Sequence, residues 1–224
     1  MVQTLFRLLE AENGRIVIDG VNIADLGLHA LRTKLSVIPQ VPTLFSGCSV
    51  RENLDLFGLH SDEALRDVLD ACHLTSVVNE LPQGWDSLVS EGGSNFSVGQ
   101  RQLLCLARAV LSKNKVLILD EATASVDRRT DQLLQEALRK TFQEGTILAV
   151  AHRLDTVIDC DFILVLGQGK VVEFGSPAEL LRQGEHTEEL GSFASMVRDT
   201  GETTSRELRQ RAFQRESSEL QIQT

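Results

Sequence analysis

Residues 116–127 read VLILDEATASVD, with four apolar residues, Val116 to Leu119, running into two acids, Asp120 and Glu121. In open α/β sheets, ligands bind beyond the carboxyl ends of the strands. An Asp at such an end can hold Mg2+, which keeps several waters and uses few protein carboxylates. A Glu beside it can orient or deprotonate an attacking water. Taken alone, the pair is equally well read as two solvated acids at a strand end.

Three other places could act on the same chemistry. In NFSVGQRQL, Asn95 to Leu103, Ser97 and Gln100 form the Ser-x-x-Gln capping-box pattern. Gly99 leaves the backbone open to close approach. A helix N-terminus with free N–H groups and a hydroxyl is a ready phosphate site, although a capping box by itself is common. Gln40 closes an apolar run, where a polar side chain can reach a metal's water shell or simply end a strand. His152 lies just past the apolar run TILAVA. It could donate to a terminal phosphate, although a histidine at a strand end is more often only hydrogen-bonded there.

The elements that would position these residues can be read from periodicity. Val2, Leu5, Phe6 and Leu9 fall on one face of a helix that opens the chain without a capping residue. Either that end frays, or the chain lacks what preceded it. GRIVIDG reads as a hairpin strand and LSVIPQ as a buried strand. Ser61 caps a helix with Leu65, Val68, Leu69 and Cys72 on its apolar face, and another helix follows Ser97. Strands at Val116–Leu119, Thr146–Val150 and Phe162–Leu166 then alternate with helices near Asp131–Phe142 and after His152. SPAELL starts a further helix, with Pro177 at its first position and Glu179 closing a capping box. Such alternation predicts a mainly parallel α/β sheet covered by helices. The helical stretch from Ser49 to Arg108 reads as an insertion into it, and the polar tail from about Thr200 as a solvated helix or a disordered segment.

Bulk properties narrow the function. The 224 residues carry a formal net charge of -10, the wrong sign for a nucleic-acid footprint. Aromatics make up 4% with no Tyr, which disfavours a base-stacking platform. Cys48, Cys72, Cys105 and Cys160 are far apart and read as reduced thiols, not as a disulfide or zinc framework. No apolar stretch approaches the ~18–20 residues that span a bilayer, and no signal-peptide pattern opens the chain. A soluble chain is therefore expected, one able to dock on something that spans a membrane.

Order and spacing decide among the separate readings. Gln40, Ser97-Val98-Gly99-Gln100, Asp120-Glu121, Ser125-Val126-Asp127 and His152 follow one another in an order that resembles the nucleotide-binding domain of ABC transporters. Gln40 resembles the Q-loop, FSVGQ the LSGGQ signature, and VLILDE the Walker B strand with its catalytic Glu. SVD is similar to the D-loop and His152 to the switch histidine. The likeness runs from residue 1 to about 198. PTLFSGCSVRENL, with EGGSNFSVGQRQL and LDEATASVD, is most similar to the second such domain of multidrug-resistance-associated (C-subfamily) exporters.

The resemblance implies a P-loop NTPase (RecA-like) α/β core with an inserted helical subdomain. Residues 1–46 would be the first part of the core with the Q-loop, 47–110 the helical subdomain, 111–198 the rest of the core and 199–224 a polar tail. It implies ATP and Mg2+ as ligands, with Asp120 and Gln40 at the metal and Glu121, His152 and Gln40 in catalysis. Ser97, Gly99, Gln100 and Asp127 would bind ATP across a head-to-tail dimer with a second nucleotide-binding domain. Further partners would be an exporter's transmembrane domains, which place the chain on the cytoplasmic face of a membrane.

One part of the family pattern is missing. The phosphate loop G-x-x-x-x-G-K-[ST] occurs nowhere in the chain, whose only Gly-Lys pair, Gly169-Lys170, is followed by Val171. The likeness places that loop immediately before the opening helix, so the chain is expected to begin just past the first core strand and its phosphate loop. Two functions follow: a partial ATPase module of an exporter, or a short, catalytically incompetent domain that binds or regulates a partner. ABC-type ATPases of DNA repair and chromosome structure rank below both, because they carry a long coiled coil where this chain has a compact insertion. That loop supplies the N–H cradle and the Lys for the phosphates. The 224-residue chain alone is therefore predicted to bind Mg-ATP weakly or not at all; micromolar affinity in a calorimetric titration would refute this.

Overall fold

The computed structural model describes residues 1–122, 126–184 and 191–222, so Ser125 lies outside the described residues. The chain divides into two compact units, Met1–Val150 and Ala151–Thr224. The sequence reading grouped residues 111–198 into one body, whereas the division falls directly after the strand Thr146–Val150.

The first unit opens with a single turn of helix, α1 (Val2–Leu5). Arg7 has a φ of 48°, left-handed backbone that no α-helix continues through. The predicted helix face therefore breaks before Leu9, which is 57% exposed. Val2, Leu5 and Phe6 do pack inward, against Ile23, Leu31, Leu35 and Ile118. A hairpin follows, β1 (Val17–Ile18) and β2 (Val21–Asn22). Its turn residues Asp19 and Gly20 have φ of 49° and 80°, the positive pair that a tight two-residue hairpin needs. Helix α2 (Leu28–Arg32) then leads into β3 (Leu35–Ile38), which stops before Pro39, a residue with no N–H to donate to a ladder.

The helical insertion consists of α3 (Val50–Leu54), α4 (Asp62–Ala71), α5 (Thr75–Asn79) and α6 (Val98–Leu111). Ser49, Ser61 and Ser97 cap α3, α4 and α6, and the first and last close full capping boxes with Glu52 and Gln100. Leu65, Val68 and Leu69 of α4, with Cys72 just past its end, share one core with Leu103, Leu104 and Ala107 of α6. Burial there pushes the Cys72 thiol up to about 12, so it stays protonated and inert.

After α6 the chain runs through β4 (Val116–Asp120), α7 (Arg128–Thr141) and β5 (Thr146–Val150). The strands form a three-stranded parallel sheet in the order β3-β4-β5. Parallel neighbours need long crossovers; the helical insertion makes the first and α7 the second. Helix α7 starts earlier than its apolar periodicity indicated, because Asp127 caps it.

The second unit contains α8 (Leu154–Val157) and an antiparallel hairpin of β6 (Ile163–Gly167) and β7 (Lys170–Gly175). Helices α9 (Pro177–Gln183), α10 (Phe193–Arg198) and α11 (Glu202–Ile222) complete it. The segment read as a polar tail is this last helix. Its Leu208 and Ala212 are buried with Ile163, Val165, Leu180 and Phe193. Arg211 meets Asp159 at 2.5 Å, and the pairs Arg182–Glu216 and Arg215–Asp161 further tie α11 down. Polarity of the exposed face hid the two apolar anchors one helical turn apart. No helix of the described residues is long and apolar enough to cross a membrane.

The core of the first unit depends most on α6, whose Leu104 is fully buried. Leu104→Ala is predicted to cost about 2–5 kcal/mol through lost contacts and a residual cavity. A loss of unfolding free energy in urea titration of less than a tenth of that would contradict the packing described.

Candidate functional site

Strand register decides which side chains meet. Ile38 of β3 stands opposite Leu119 of β4. The chain then continues as Pro39-Gln40 on one strand and Asp120-Glu121 on its neighbour, so Gln40 and Glu121 lie equally far past the same rung. The Gln40 Nε2 donates to Glu121 Oε2 at 2.5 Å. Glu121 has a φ of 49°, strained for a residue with a side chain by about 1–3 kcal/mol. Its N–H donates to the Val150 carbonyl at 2.9 Å, which holds it in that turn. Asp120 is half-buried at the last rung of the sheet, in register with Val150 of β5.

The donor set at this strand end is one half-buried carboxylate, a second carboxylate and an amide whose nitrogen is already engaged. These are hard oxygen ligands, few in number, and they suit Mg2+. Among the described residues no group of three or more His, Cys, Asp or Glu gathers as a metal cage. An ion that keeps most of its waters needs none.

A second cluster forms at the N-terminus of α6. Gln100 N–H donates to Ser97 Oγ at 3.1 Å, and Ser97 N–H donates to Gln100 Oε1 at 2.8 Å. Arg101 donates to the carbonyls of Gly93 and Phe96, at 3.2 and 3.0 Å, and so folds the preceding loop onto the helix. Gly99 is buried against α7: a Cβ there would stand 2.6 Å from Thr130 Cγ2 and 2.8 Å from its Oγ1. Thr130 in turn donates its hydroxyl to Asp127 Oδ2 at 2.7 Å. That bond, with the N–H groups of Thr130 and Arg129, holds the Asp127 carboxyl below its ordinary range. Ser97, Gly99, Gln100 and Asp127 thus share one corner of the first unit, joined through Thr130. His152 falls in the second unit, exposed, two residues beyond the end of β5.

Sequence reasoning missed the residues that hold these groups. Thr130 stands three residues after Asp127, the spacing of an N-cap pair, and that pattern was readable. Gln102 and Arg108 interrupt the apolar face of α6. Polar residues inside an otherwise buried helix signal specific hydrogen bonds, although nothing in the sequence names their partners.

Comparisons with known proteins bear on the family and the fold. A sequence profile of the family described as ABC transporter matches residues 1–124. ATP-binding cassette sub-family C member 2 of Rattus norvegicus is 52% identical over 201 residues, 90% of this chain and 13% of that protein. ATP-binding cassette sub-family C member 3 of Homo sapiens is 51% identical over the same shares. The chain therefore spans about 13% of the length of the curated relatives it matches. Among solved structures, a bacterial Atm1-family ABC exporter with ATP bound superposes with a TM-score of 0.80 and 33% identity. That match covers 90% of this chain and 34% of the other.

The close approach at Gly99 makes a double-mutant test. Gly99→Ala gains about 0.8–1.0 kcal/mol of helix propensity but overpacks against Thr130 by about 1–3 kcal/mol. Net destabilisation is expected, partly relieved in Gly99→Ala/Thr130→Ala, with a coupling energy of about 0.5–3 kcal/mol from denaturant unfolding. Additive single effects would refute the contact. The Asp127 cap has a pH signature. A carboxyl whose folded pKa is depressed contributes its stability above the unfolded value of about 3.9 and loses it as pH falls through the folded pKa. The melting-temperature gap between the unaltered chain and Asp127→Asn should persist from pH 7 to about 4 and close only below that.

Proposed function

The chain belongs to the ABC transporter family, and from that premise we propose that it carries the hydrolytic and signature parts of an ATP site in a membrane exporter. The observation that carries this reading is the contact of Gln40 with Glu121 at the ends of adjacent parallel strands. It puts an amide and a carboxylate side by side beyond the sheet, where this class of fold takes its ligands. In this reading Glu121 orients a water for in-line attack on the γ-phosphate and accepts its proton. Gln40 fixes the Glu121 carboxylate, and the strained backbone at Glu121 keeps the carboxylate aimed before substrate arrives. Asp120, with the amide oxygen of Gln40, would hold Mg2+, which when bound neutralises charge developing on the phosphate oxygens. His152 donates to the γ-phosphate.

Ser97 stands exposed at the N-terminus of α6, with Gly99 buried and Gln100 half-buried beside it, where N–H groups and a hydroxyl favour an anion. They serve a nucleotide held by a second nucleotide-binding domain, paired head to tail, with Asp127 lining the same contact. The exporter's transmembrane domains and its cytoplasmic face complete the assignment. Positioning and electrostatics supply most of the rate.

The test is mixing. Added in excess to a competent nucleotide-binding domain of a C-subfamily exporter, the chain should raise that domain's ATPase rate several-fold, by completing its site. Ser97→Arg, which places bulk and positive charge at the cap, should abolish the increase while leaving the fold intact by circular dichroism. No stimulation by the unaltered chain, or equal stimulation by the variant, would overturn the reading.

A further inference from the structure

We propose that Gln102 and Arg108 of α6 are positioning residues for Gln40, so that this helix sets the Gln40–Glu121 contact; the inference rests on the reading of that contact as part of a nucleotide site. Gln40 lies on a short connection between two clamps, both made by α6. On one side, Gln102 donates through Nε2 to the Pro39 carbonyl at 3.1 Å. On the other, Arg108 donates to the Thr43 carbonyl at 2.7 Å.

The Arg108 clamp is elaborate. Its guanidinium also donates to the Asn53 carbonyl, and to Asn53 Oδ1 at 2.6 Å, and lies 5.0 Å from the centre of the Phe45 ring. Asn53 in turn brackets Phe45, accepting from its N–H at 2.7 Å and donating to its carbonyl at 3.0 Å. The backbone at 39, 43 and 45 is thereby held, and Gln40 between them is left exposed at its side chain.

Gln102 shows that position outweighs core packing here. It is fully buried, yet its Oε1 accepts no hydrogen bond among the described residues. An orphan buried acceptor is costly, and a Met of similar length would fill the same space without one. The bond that the amide does make goes to Pro39. β3 ends there, because Pro39 has no N–H to extend the ladder. With its near end fixed by Gln102 and its far end by Arg108, the segment delivers Gln40 to Glu121, whose own turn is fixed by Val150. The same helix begins at Ser97, so a change at the signature end has a rigid element through which to reach Gln40.

The side-chain amide resonance of Gln40 in the 15N-labelled 224-residue chain reports the contact without nucleotide. In Gln102→Met that resonance and the backbone resonances of residues 40–43 should move by more than a linewidth, while those of Asp127 and Thr130 stay. Arg108→Met should displace the same set, and Arg108→Lys, which keeps a donor for the Thr43 carbonyl, should bring it part of the way back. Unchanged Gln40 resonances in a folded Gln102→Met chain overturn the proposal. If that variant loses its spectral dispersion, the Arg108 pair decides: displacement with partial return supports the clamp, and equal spectra for Met and Lys overturn it. Absence of stimulation in the mixing assay would sink the nucleotide reading alone and leave this result standing.

Discussion

The pairing of β3 with β4 in one parallel register is the constraint on which the first unit depends. A parallel ladder admits only one set of partners once its apolar faces are buried, because a shift by one residue turns every side chain to the opposite face. Ile38, Leu117 and Ile118 are fully buried, so slipping either strand would drive them out of the core. With the rung Ile38 to Leu119 held, two chains leave the sheet side by side, and Gln40 and Glu121 meet without further adjustment. The strain at Glu121 is tolerated because the ladder over-determines the turn.

Helix α6 is the second constraint. It packs Leu103, Leu104, Leu106 and Ala107 into the main core of the unit, which makes it rigid. Rigidity lets one element serve both clusters. Its N-terminus presents Ser97 and brings Gly99 against Thr130, while its later turns grip the segment around Gln40. The missing side chain at Gly99 is what allows α6 and α7 to approach, since the space a Cβ would need is taken by Thr130. Charge acts locally in this arrangement. Burial lowers the Arg108 pKa from its ordinary value, but the guanidinium is held by three oxygen acceptors and an aromatic face.

Much of the layout was legible from residue types. Serine caps at 61, 97 and 176 mark their helices because a side-chain oxygen satisfies N–H groups that a helix start leaves open, and the structure adds a fourth at Ser49. The strands at 35–38, 116–120 and 146–150 are mostly apolar, as parallel strands tend to be, but burial is fullest along β4, and Val37 and Ile147 of its two neighbours are 40% and 39% exposed. The failures have equally local causes. A left-handed Arg7 ended a helix whose apolar spacing continued to Leu9. Asp127 began α7 ahead of its first apolar residue. Two buried positions, Leu208 and Ala212, were too few to stand out in a polar segment.

The sequence by itself determined the apolar centres of the strands, the helices capped by Ser61, Ser97 and Ser176, and the order of Gln40, Ser97, Asp120, Glu121, Asp127 and His152. These follow from properties that travel with each residue or its near neighbours: β-branching, side-chain oxygen geometry and apolar period. Only the tertiary structure decided that Gln40 touches Glu121, that Gly99 touches Thr130, and that Gln102 and Arg108 hold the segment between Pro39 and Thr43. Those contacts join residues far apart along the chain. Their partners are chosen by ladder register and helix packing, and neither is written in any single stretch of residues.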